Sequence, residues 1–476
     1  MKTMLFKITF YSFLSLGLAL NAYSNGNPEL TGEVFSRIHS ESGIVKYEYP
    51  HICPASKDYK VMINGEELFV YYTGAGSFVA FESEEAVEVE ILTKTPVKSV
   101  NIAPNRLDIE PEFKEHAISF SMPAPEKIMV EIEGMEQLFI YANDIEEDKP
   151  DPNDENIHYF KGGQIYEVGE LVLNDNETLY IEGGAVVRGN IRSTSAKNVK
   201  ISGRGVLDHG YYRGIRPRPR FVLFEDCQNV TIEDVIMIEP ESWMITLYIS
   251  DGVNINNIKQ LGAGHGSDGV DIVGTNNVHV HNSMLRNGDD CIVVKSFKRP
   301  QYAENVLNKW TGVNNVLVTD CTVQANGGGQ AFEIGHELTR GPIQNIKYQN
   351  CDVMGVHGQG GVFGIHNSDH AHIKNVMYEN IRVDHFYNKL VDLRIVKSRW
   401  SQDEERGSAE NIYFKDINVK VSIYNPGYSI SLIGGYDENH RIKNVTFDNF
   451  RLDGKKITGA DQLDLYLKQA EGVRFK

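Results

Sequence analysis

Short runs in which apolar and polar residues alternate fill residues 25–145. A period of two is typical of half-buried strands, and glycine and proline between the runs indicate tight connections. Asn64-Gly65 separates two of the runs and is a preferred hairpin sequence. The pattern therefore predicts a small β-sandwich over residues 25–145. Its expected strands start at Lys60, Leu68, Val87, Ala117, Ile128 and Leu138.

Residues 146–157 interrupt this alternation. They are rich in aspartate and glutamate, contain Pro150 and Pro152, and have no apolar period. Such a composition is typical of a linker. We expect the segment to join the sandwich to a second domain at 158–476.

In this second region a short marker, an asparagine followed by valine or isoleucine, recurs about every 31 residues. Periods of 20–50 residues are typical of solenoids and propellers. Single short strands between glycine and asparagine turns favour a parallel β-helix, with one coil per repeat, over the longer strands of propeller blades. The predicted fold class is all-β. We expect the sandwich either to bind glycan or to cover the open first coil, and we favour the second role. The marker occurs at Asn198, Asn229, Gly252 (glycine in place of asparagine), Asn277, Asn315, Asn345, Asn375, Asn411 and Asn444.

Cysteines recur with the same period at Cys291, Cys321 and Cys351. Because stacked coils align equivalent side chains, we interpret the three as one buried column rather than as a disulfide or metal site. Five cysteines in all are too few and too odd in number for a disulfide scaffold. Residues 461–470 are the one stretch of the repeat region with a helical pattern.

The first 24 residues have the pattern of a secretory signal peptide. Lys2 and Lys7 precede an apolar run over residues 8–20, and small residues follow up to Ser24. The alternative, a short membrane anchor, is disfavoured because a spanning helix needs about 20 apolar residues. We expect export, so that the mature protein is secreted or periplasmic, with no membrane span.

Composition narrows the class of function. Hydrophobic residues make up 41% of the 476 residues, which is enough for large cores and excludes a disordered chain. The net charge of −18 is opposite to that of most nucleic-acid binders. We therefore expect no nucleic-acid partner.

Carboxylates cluster in two turns of neighbouring repeats. Asp268 lies in Gly266-Ser-Asp268-Gly, and Asp289 and Asp290 lie in Asn287-Gly-Asp289-Asp290, each just before an apolar run. If the two runs stack about 4.8 Å apart, the three carboxylates share one surface. Crowding raises the pKa of at least one of them, as hydrolysis of a glycoside with inversion requires. A calcium site or simple strand-capping turns are the alternatives.

The motifs around these turns resemble glycoside hydrolase family 28, the polygalacturonases and their relatives. The resemblance covers about residues 156–450 and implies a right-handed parallel β-helix that hydrolyses with inversion. It implies that Asp289 is the general acid and that Asp268 and Asp290 hold and activate water. The motifs are Gly205-Val-Leu-Asp208, Arg216-Pro-Arg-Pro-Arg220 followed by Cys227-Gln-Asn-Val, Pro240-Glu-Ser-Trp243, Ser267-Asp268-Gly, Gly288-Asp-Asp-Cys291 and Ile334-Gly335-His-Glu337.

Two departures from the family pattern concern substrate binding. The family's Gly-His-Gly falls near residues 328–331, where this chain has Gln330 and no histidine. The family's Arg-Ile-Lys, which binds the sugar carboxylate, corresponds to Arg394 and Lys397 with one extra residue between them. The resemblance thus keeps an acidic glycan as substrate and leaves polygalacturonan itself open.

Other polar residues near the motifs are weaker candidates. We expect Lys295 either to meet an anionic sugar or to be solvated. His336 and Glu337 either line the groove, which we favour, or simply finish a turn. Trp243 is interpreted as core packing rather than as a sugar platform. The basic run Arg213, Arg216, Arg218 and Arg220 is either a solvated loop or a cationic wall of the groove.

The leading hypothesis is a secreted O-glycosyl hydrolase that cleaves a pectic or other acidic polysaccharide. We expect it to act as a monomer on a polysaccharide or oligosaccharide, with no cofactor and no metal. One alternative is a polysaccharide lyase on the same fold, which would use calcium and a basic residue. The other is a β-helical carbohydrate-binding protein without catalysis.

Overall fold

The structure is a computed structural model and describes residues 43–298, 304–421 and 430–476. The predicted signal peptide at 1–24 lies outside the described residues. Within these ranges, helices are few and short. They are the α-helix Glu304–Leu307 and the 3₁₀ helices Asn105–Leu107, His209–Tyr212 and Ala460–Leu463. None of them has the length and apolar character needed to cross a membrane.

The N-terminal region consists of two mostly antiparallel sheets that share an apolar core, as the predicted sandwich requires. Each expected strand start lies within or beside an observed strand. One sheet contains Val45–Lys46, Tyr71–Thr73, Gly76–Glu82, Val100–Ala103, Glu126–Ile132 and Leu138–Asn143. The other contains Tyr59–Ile63, Glu66–Leu68, Val87–Thr93, Glu112–Lys114 and Ala117–Met122.

The hairpin predicted at Asn64-Gly65 is confirmed. Both residues have positive φ, 48° and 80°, and they join the antiparallel strands Tyr59–Ile63 and Glu66–Leu68. Two consecutive residues with positive φ match the twist of the flanking strands. Asparagine and glycine adopt this conformation more easily than other residues.

The strand Gly76–Glu82 was missed because it does not alternate. All of its residues are buried. Val79 and Phe81 face the sandwich core, whereas Phe78 and Ala80 face the second domain. A strand that is covered on both faces has no polar side, so a period-two pattern does not appear.

The second region is a parallel β-helix, which confirms the predicted fold class. Its strands pair in parallel with equivalent strands of the next coil and form three stacks. The first stack, which carries the candidate site, contains Val222–Glu225, Ile245–Tyr248, Val270–Val273, Ile292–Ser296, Phe332–Leu338, Gly361–Asn367, Lys389–Ile395, Ser431–Gly434 and Leu465–Lys468.

The other two stacks complete each coil. The second contains Ile157–Phe160, Thr178–Ile181, Lys197–Ser202, Gln228–Glu233, Asp251–Asn256, Asn276–His281, Val313–Thr319, Ile343–Gln349, His372–Val383, Ser408–Val419, Ile442–Leu452, Ala470–Glu471 and Arg474–Phe475. The third contains Val206–Asp208, Ile236–Ile238, Lys259–Leu261, Met284–Asn287, Thr322–Ala325 and Asp352–Val356. The long strand Ile165–Val172 pairs with Val186–Thr194, which in turn pairs with the first strand of both the third and the first stack. The short strand Lys455–Lys456 pairs antiparallel with Ile442–Leu452.

The repeated asparagine of the sequence forms a ladder along the β-helix. The asparagines at these positions have φ between 54° and 63°, a left-handed conformation that asparagine tolerates well. The side-chain amide of Asn229 donates to Asn198 at 3.1 Å, and that of Asn375 donates to Asn345 at 3.1 Å. Each coil therefore needs a left-handed residue at this corner, and asparagine also links it to the coil before. This explains why the marker repeats.

The predicted cysteine column is partly wrong. Cys291, Cys321 and Cys351 are buried and unpaired, as expected, and so are the other two cysteines. Cys321 and Cys351 occupy the same corner of neighbouring coils, because the amide of Asp352 donates to the carbonyl of Cys321 at 2.9 Å. Cys291 lies at a different corner, where its carbonyl accepts from Val270. A spacing of 30 residues is thus not sufficient for stacking when loop lengths differ between coils.

The predicted C-terminal helix over 461–470 is wrong. The chain makes a single 3₁₀ turn at Ala460–Leu463 and continues as the strand Leu465–Lys468. This strand pairs with Ser431–Gly434 of the first stack. Addition to an existing sheet overrides the weak helical pattern.

The sandwich covers the flank of the β-helix, which differs from the expected cap on the first coil. Phe78 and Met129 of the sandwich belong to one buried cluster with residues of successive coils, among them Val206, Ile236 and Met284. These three belong to the third stack. The predicted linker also contacts the β-helix, since Glu146 accepts a hydrogen bond from the Tyr180 hydroxyl at 2.7 Å. The domain boundary near residue 145 stays a prediction.

Candidate active site

Along each strand of the first stack, successive side chains alternate between the apolar core and the outer face of the sheet. Ile272 and Ile334 point into the apolar core, whereas their neighbours Asp271 and Glu333 lie on the outer face. The register pairs Glu333 with Gly364, and Gly364 with Asp392. Charged side chains from separate repeats therefore form one row across the outer face of this sheet.

The predicted stacking of the two carboxylate turns is confirmed. The strands Val270–Val273 and Ile292–Ser296 pair with Val270 opposite Ile292. The amide of Gly269 donates to the carbonyl of Asp290 at 2.8 Å. Asp268 and Asp290 thus occupy equivalent positions on neighbouring coils, and Asp289 lies next to them.

Each carboxylate of this trio is held by a separate donor. The amide of Gly266 donates to Asp289 Oδ2 at 2.8 Å, and the amide of Gln330 donates to Asp290 Oδ1 at 2.7 Å. Asp268 is bound by a side chain instead, as described below. Asp289 and Asp290 are partly exposed, whereas Asp268 is buried. The trio is therefore held by donors from three neighbouring coils, and two of its members are partly exposed.

Burial and the repulsion between neighbouring carboxylates raise the pKa of two members of the trio, Asp289 and Asp290. Burial, followed by the charge of Asp268, raises the pKa of Asp289. Burial raises the pKa of Asp290 well above its usual value, and the charges of Asp268, Glu333 and Asp289 add to this. Groups so close titrate together, so the proton belongs to the cluster rather than to a single residue. Such a cluster can hold one proton beside an ionised partner.

Lys295 forms a buried ion pair with one member of the trio, Asp268. Its ammonium donates to Asp268 at 2.9 Å and to Asp271 at 2.7 Å, with only 5% of the residue exposed. Burial opposes the charge on Lys295, but the two carboxylates outweigh it and raise its pKa well above the usual value. The expectation of a solvated lysine is wrong, and its contacts are with protein carboxylates.

Asp271 completes this ion-pair group. It is fully buried, and burial raises its pKa to about 8 despite the opposing charge of Lys295. Asp271 was not among the site residues predicted from the sequence. The missed signal is an aspartate inside the apolar run 270–273, since a charged residue at an outward position of a buried strand needs a partner.

A second group of charges lies further along the same face and is called here the paired-charge cluster. It consists of Glu333, His366, Asp392, Arg394 and Lys389. His366 Nδ1 lies 2.8 Å from Glu333 Oε1, and its Nε2 lies 3.2 Å from Asp392 Oδ2. Asp392 also binds Arg394, with Nε to Oδ1 at 2.7 Å, and Lys389, with Nζ to Oδ2 at 3.0 Å. Every cation of the cluster therefore contacts a carboxylate of the cluster.

Residues 189–461 match the model of glycosyl hydrolases family 28, more than half of the chain. The chain belongs to this family. The matched span contains the trio, Lys295 and the whole paired-charge cluster. The resemblance drawn from the sequence motifs is confirmed.

The named relatives of this chain are distant in sequence. The chain is 21% identical over 252 residues to Polygalacturonase QRT2 of Arabidopsis thaliana, covering 52% of each chain. It is 24% identical over 199 residues to the polygalacturonase of Persea americana, covering 38% of this chain and 41% of that protein. The chain thus spans about half the length, or less, of these relatives.

A solved structure shares the fold over nearly the whole chain. Dex49A from Penicillium minioluteum superposes with a TM-score of 0.63 at 14% identity. The match covers 92% of this chain and 99% of that one. Such coverage extends beyond the span matched by the family 28 model. The N-terminal sheets therefore belong to the shared fold.

Within this family 28 site, the structure locates Gln330 beside the trio. Besides holding Asp290 through its amide, Gln330 accepts through Oε1 from the amide of Gly361 at 3.4 Å. The preceding Gly329 packs directly on the peptide bond between Asp289 and Asp290, where a Cβ would clash. The departure from the family motif thus keeps a close backbone contact with the trio while replacing the histidine side chain.

His336 lies against the paired-charge cluster. Its ring stacks on that of His366 with centroids 4.8 Å apart. Burial, together with the charge of His366, lowers the pKa of His336 to about 4, so the ring is neutral near neutral pH. That His336 lines a substrate groove stays a prediction.

The same residues raise the question of a metal ion. Glu333, His336 and His366 have potential ligand atoms within 4.8 Å of one another. Both ring nitrogens of His366 already face carboxylates, and Arg394 Nη2 lies 2.9 Å from Nε2. A cation would be repelled by Arg394 and would have to displace these contacts. The group is therefore better described as an ion-pair cluster.

Arg394 and Lys397, the counterparts of one family motif, are separated by the structure. Arg394 lies in the paired-charge cluster, bound to Asp392. Lys397 follows the strand Lys389–Ile395, is 56% exposed at its side chain and pairs with Glu404 at 2.8 Å. The extra residue between them carries Lys397 beyond the strand, and among the predicted site residues it alone pairs with an exposed loop.

Trp243 and the basic run border the trio on the side of the earlier coils. Arg220 Cζ lies 3.6 Å and Lys295 Nζ lies 3.8 Å from the Trp243 ring centre. Arg213 and Arg218 pair with Glu239 and Glu241. Trp243 packs on an apolar cluster, as expected, and also contacts two cations. The basic run is partly compensated rather than simply solvated.

Proposed function

We propose that this chain hydrolyses a glycosidic bond of a pectin-type polysaccharide in a single inverting step. The observation that carries the proposal is the trio Asp268, Asp289 and Asp290 on one open face of the coil, with Lys295 bound beneath it. Family membership and the polygalacturonase relatives support the reaction class.

Asp289 is assigned as the general acid. Its carboxyl is partly exposed, and its pKa is raised by burial and by Asp268, so it can carry a proton to the leaving oxygen. Asp268 and Asp290 hold a water molecule on the opposite side of the sugar ring. The ammonium of Lys295 donates to Asp268 at 2.9 Å and fixes the position of this carboxylate.

In the proposed reaction one bond forms and one bond breaks in a single step, with two proton transfers. The water oxygen bonds to the anomeric carbon while the carbon–oxygen bond to the leaving sugar breaks. The Asp289 proton goes to the leaving oxygen, and one proton of the water goes to the Asp268–Asp290 pair. The water needs space between acid and base, which is why inverting enzymes separate these groups by about 6.5–9.5 Å.

We also propose that the protein acts outside the cytoplasm, secreted or periplasmic, and as a monomer. The signal-peptide pattern in residues 1–24 supports export. The negative net charge of −18 suits a protein that remains soluble and unaggregated.

A reducing-end assay on pectic, algal and neutral glucan polysaccharides tests the activity. We expect new reducing ends with at least one pectin-type polymer and no increase in ultraviolet absorbance. Unsaturated products would show a lyase instead, and binding without new ends would show a carbohydrate-binding protein. The matched control is Asp416→Asn, which makes the same change in a turn where neighbouring coils already use asparagine, and it should keep full activity.

A further inference from the structure

A pocket lies where the sandwich meets the β-helix, outside the carboxylate trio and the paired-charge cluster. Its volume is about 530 Å³. The sandwich contributes Ile52, Pro54 and Tyr72, and the β-helix contributes Arg188 and Arg213 among others. Both domains therefore build this cavity, which is called here the junction pocket.

The sandwich side of the junction pocket is apolar and can be reached from solvent. Ile52 is 82% exposed and Tyr72 is 46% exposed, while the neighbouring Tyr71 is buried and lines the same pocket. An aromatic ring and a branched aliphatic side chain at the mouth of a pocket offer a surface on which the apolar face of a ligand packs.

The β-helix side is charged, and its groups can also be reached. Arg188 binds Glu167 and Asp208, with its Nε 3.0 Å from Asp208 Oδ2. Arg213 binds Glu239, and its side chain is 66% exposed. Partly exposed pairs of this kind keep further donors and acceptors for a ligand, because a guanidinium has five N–H groups and a carboxylate accepts at about four positions.

A hydrogen bond holds the sandwich against this charged side. The amide of Gly74, in the turn between the strands Tyr71–Thr73 and Gly76–Glu82, donates to Glu239 Oε1 at 2.6 Å. Glu239 binds Arg213 as well. The apolar and the charged wall are therefore fixed relative to each other before a ligand arrives, which lowers the cost of binding.

The junction pocket and the trio lie at the same corner of successive coils. Asp208 and Ile238 line the pocket, and the register pairs Asp208 with Ile238 and Ile238 with Leu261. The turn that follows Leu261 leads to Asp268. The pocket therefore precedes the trio by one to two coils, roughly 5–10 Å along the axis.

A polar surface connects the two places. Glu241 binds both Arg213 and Arg218, at 3.7 and 3.1 Å. Arg220, the last arginine of the same run, packs on Trp243, which also contacts the ammonium that binds the trio. A polymer that extends from the trio towards the earlier coils passes over this basic run before it reaches the pocket.

We propose that the junction pocket is a remote subsite that binds a distal sugar unit of the polysaccharide cleaved at the trio. A sugar ring has C–H groups on its faces and hydroxyls at its edge, which match the apolar and the charged wall. The inference rests on the proposed function, because the occupant is the same polymer. Ile52 and Tyr72 lie outside the span 189–461, so the subsite uses a part of the chain that the family model does not include.

The test uses chain length as its readout. Oligogalacturonides from the dimer to the octamer, and the same series after carboxyl reduction, are titrated by calorimetry into the Asp289→Asn protein, which should turn them over too slowly to interfere. We expect the affinity of at least one series to rise at least tenfold from dimer to octamer. Adding Tyr72→Ala should remove most of this rise and leave the affinity for the dimer unchanged.

Tyr413→Ala is the matched control, because Tyr413 is similarly exposed but lies in the strand Ser408–Val419 of the second stack. It should leave the rise with length intact. An affinity that is independent of length in both series, or a rise that Tyr72→Ala leaves as large as Tyr413→Ala does, would overturn the inference.

Two further variants cover the case in which Tyr72→Ala disturbs the sandwich. Ile52→Ser changes a side chain that is almost fully in solvent, and Arg213→Gln removes the most accessible charge of the other wall. Each should weaken octamer binding about fivefold without affecting the dimer. Arg441→Gln alters a partly exposed pair with Glu471 in a later coil and is their control. Octamer binding that neither Ile52→Ser nor Arg213→Gln weakens, or dimer binding that falls equally, would contradict a subsite at this junction.

Calorimetry separates this inference from the proposed function, because it needs no bond cleavage. Hydrolysis of short and long oligomers with equal kcat/KM, together with equal affinities, overturns the inference and leaves hydrolysis standing. A polymer panel without new reducing ends counts against hydrolysis itself, while the length dependence of binding still decides whether the junction pocket is occupied.

Discussion

Lys295 and Asp268 form a buried ion pair at 2.9 Å, with about 6% of each side chain exposed. The two residues come from neighbouring coils, and Asp271 binds the same ammonium at 2.7 Å. Because an ammonium shared by two buried carboxylates fixes all three side chains, Asp268 cannot rotate freely. The pair thus links the stability of the coil to the geometry of the trio.

Replacing Lys295 by methionine keeps the length of the side chain and removes its charge. Two buried carboxylates then lose their cation, and we expect the free energy of unfolding to fall by about 3–5 kcal/mol. Urea unfolding measures this. Lys309→Met breaks the more exposed pair with Asp226 and should cost at most about 1 kcal/mol. Similar losses in both variants would contradict the special role of Lys295.

The trio should act as a unit. Asp289→Asn removes the proposed acid and should lower kcat by at least about 10²-fold without unfolding the protein. Asp268→Asn and Asp290→Asn should each lose most activity, and the triple variant should be hardly slower than one of them. Losses that multiply across the three variants would show independent roles.

A substrate with a good leaving group distinguishes acid from base. Departure of an activated aryl group needs little protonation, so Asp289→Asn should recover most of its rate on an aryl glycoside of the accepted sugar. Asp268→Asn should not recover, because its defect lies in activating water. The two variants are compared as ratios of kcat/KM on aryl and natural substrates. Recovery by Asp268→Asn instead would exchange the roles.

Much of the fold could be predicted from the sequence because each coil needs the same backbone conformation at an equivalent position. A left-handed corner in each coil selects asparagine or glycine, as at Asn229 and Gly252, so a local conformation becomes a sequence period. The trio was readable because Asp268 and Asp289 lie in glycine-containing turns beside apolar runs.

The paired-charge cluster could not be predicted from the sequence, because its members are brought together only by the pairing of strands from different coils. Glu333, His366 and Asp392 lie about 30 residues apart in sequence and meet only through the strand register. Loops of unequal length hide that register, as the misplaced Cys291 shows. The available signal was a charged residue inside an apolar run, as at Phe332-Glu333-Ile334.

Stability should fall as the pH rises from neutral to alkaline. Burial opposes the charge on His366, but Glu333 and Asp392 outweigh it and raise its pKa to about 9, although Arg394 and His336 also face the ring. The folded state therefore holds a proton that the unfolded state releases at about pH 6.5. This contribution, on the order of 3 kcal/mol at most, is present below about pH 6.5 and is lost as the pH rises through 9.

His366→Gln provides the check. Urea unfolding of both proteins between pH 6 and 9.5 should show a large difference in stability at pH 6 that shrinks towards pH 9.5. His440→Gln, which alters an exposed pair with Asp437, should show no such trend. A difference that grows with pH would reverse the assigned sign.

The stereochemistry of the product tests the arrangement of the trio most directly. Asp289 and Asp290 are consecutive in one turn, and Asp268 lies one coil away. The amides that hold them, from Gly266 and Gln330, come from opposite neighbouring coils and draw the two side chains apart. Inversion needs carboxyl groups about 6.5–9.5 Å apart, so that a water molecule fits between them, whereas a covalent double displacement needs carboxylates about 5–5.5 Å apart. We therefore expect a single inverting step with no glycosyl-enzyme intermediate. Proton NMR of the first-formed anomer measures this, and a fresh product that keeps the configuration of the cleaved bond would show that one of these carboxylates is a nucleophile.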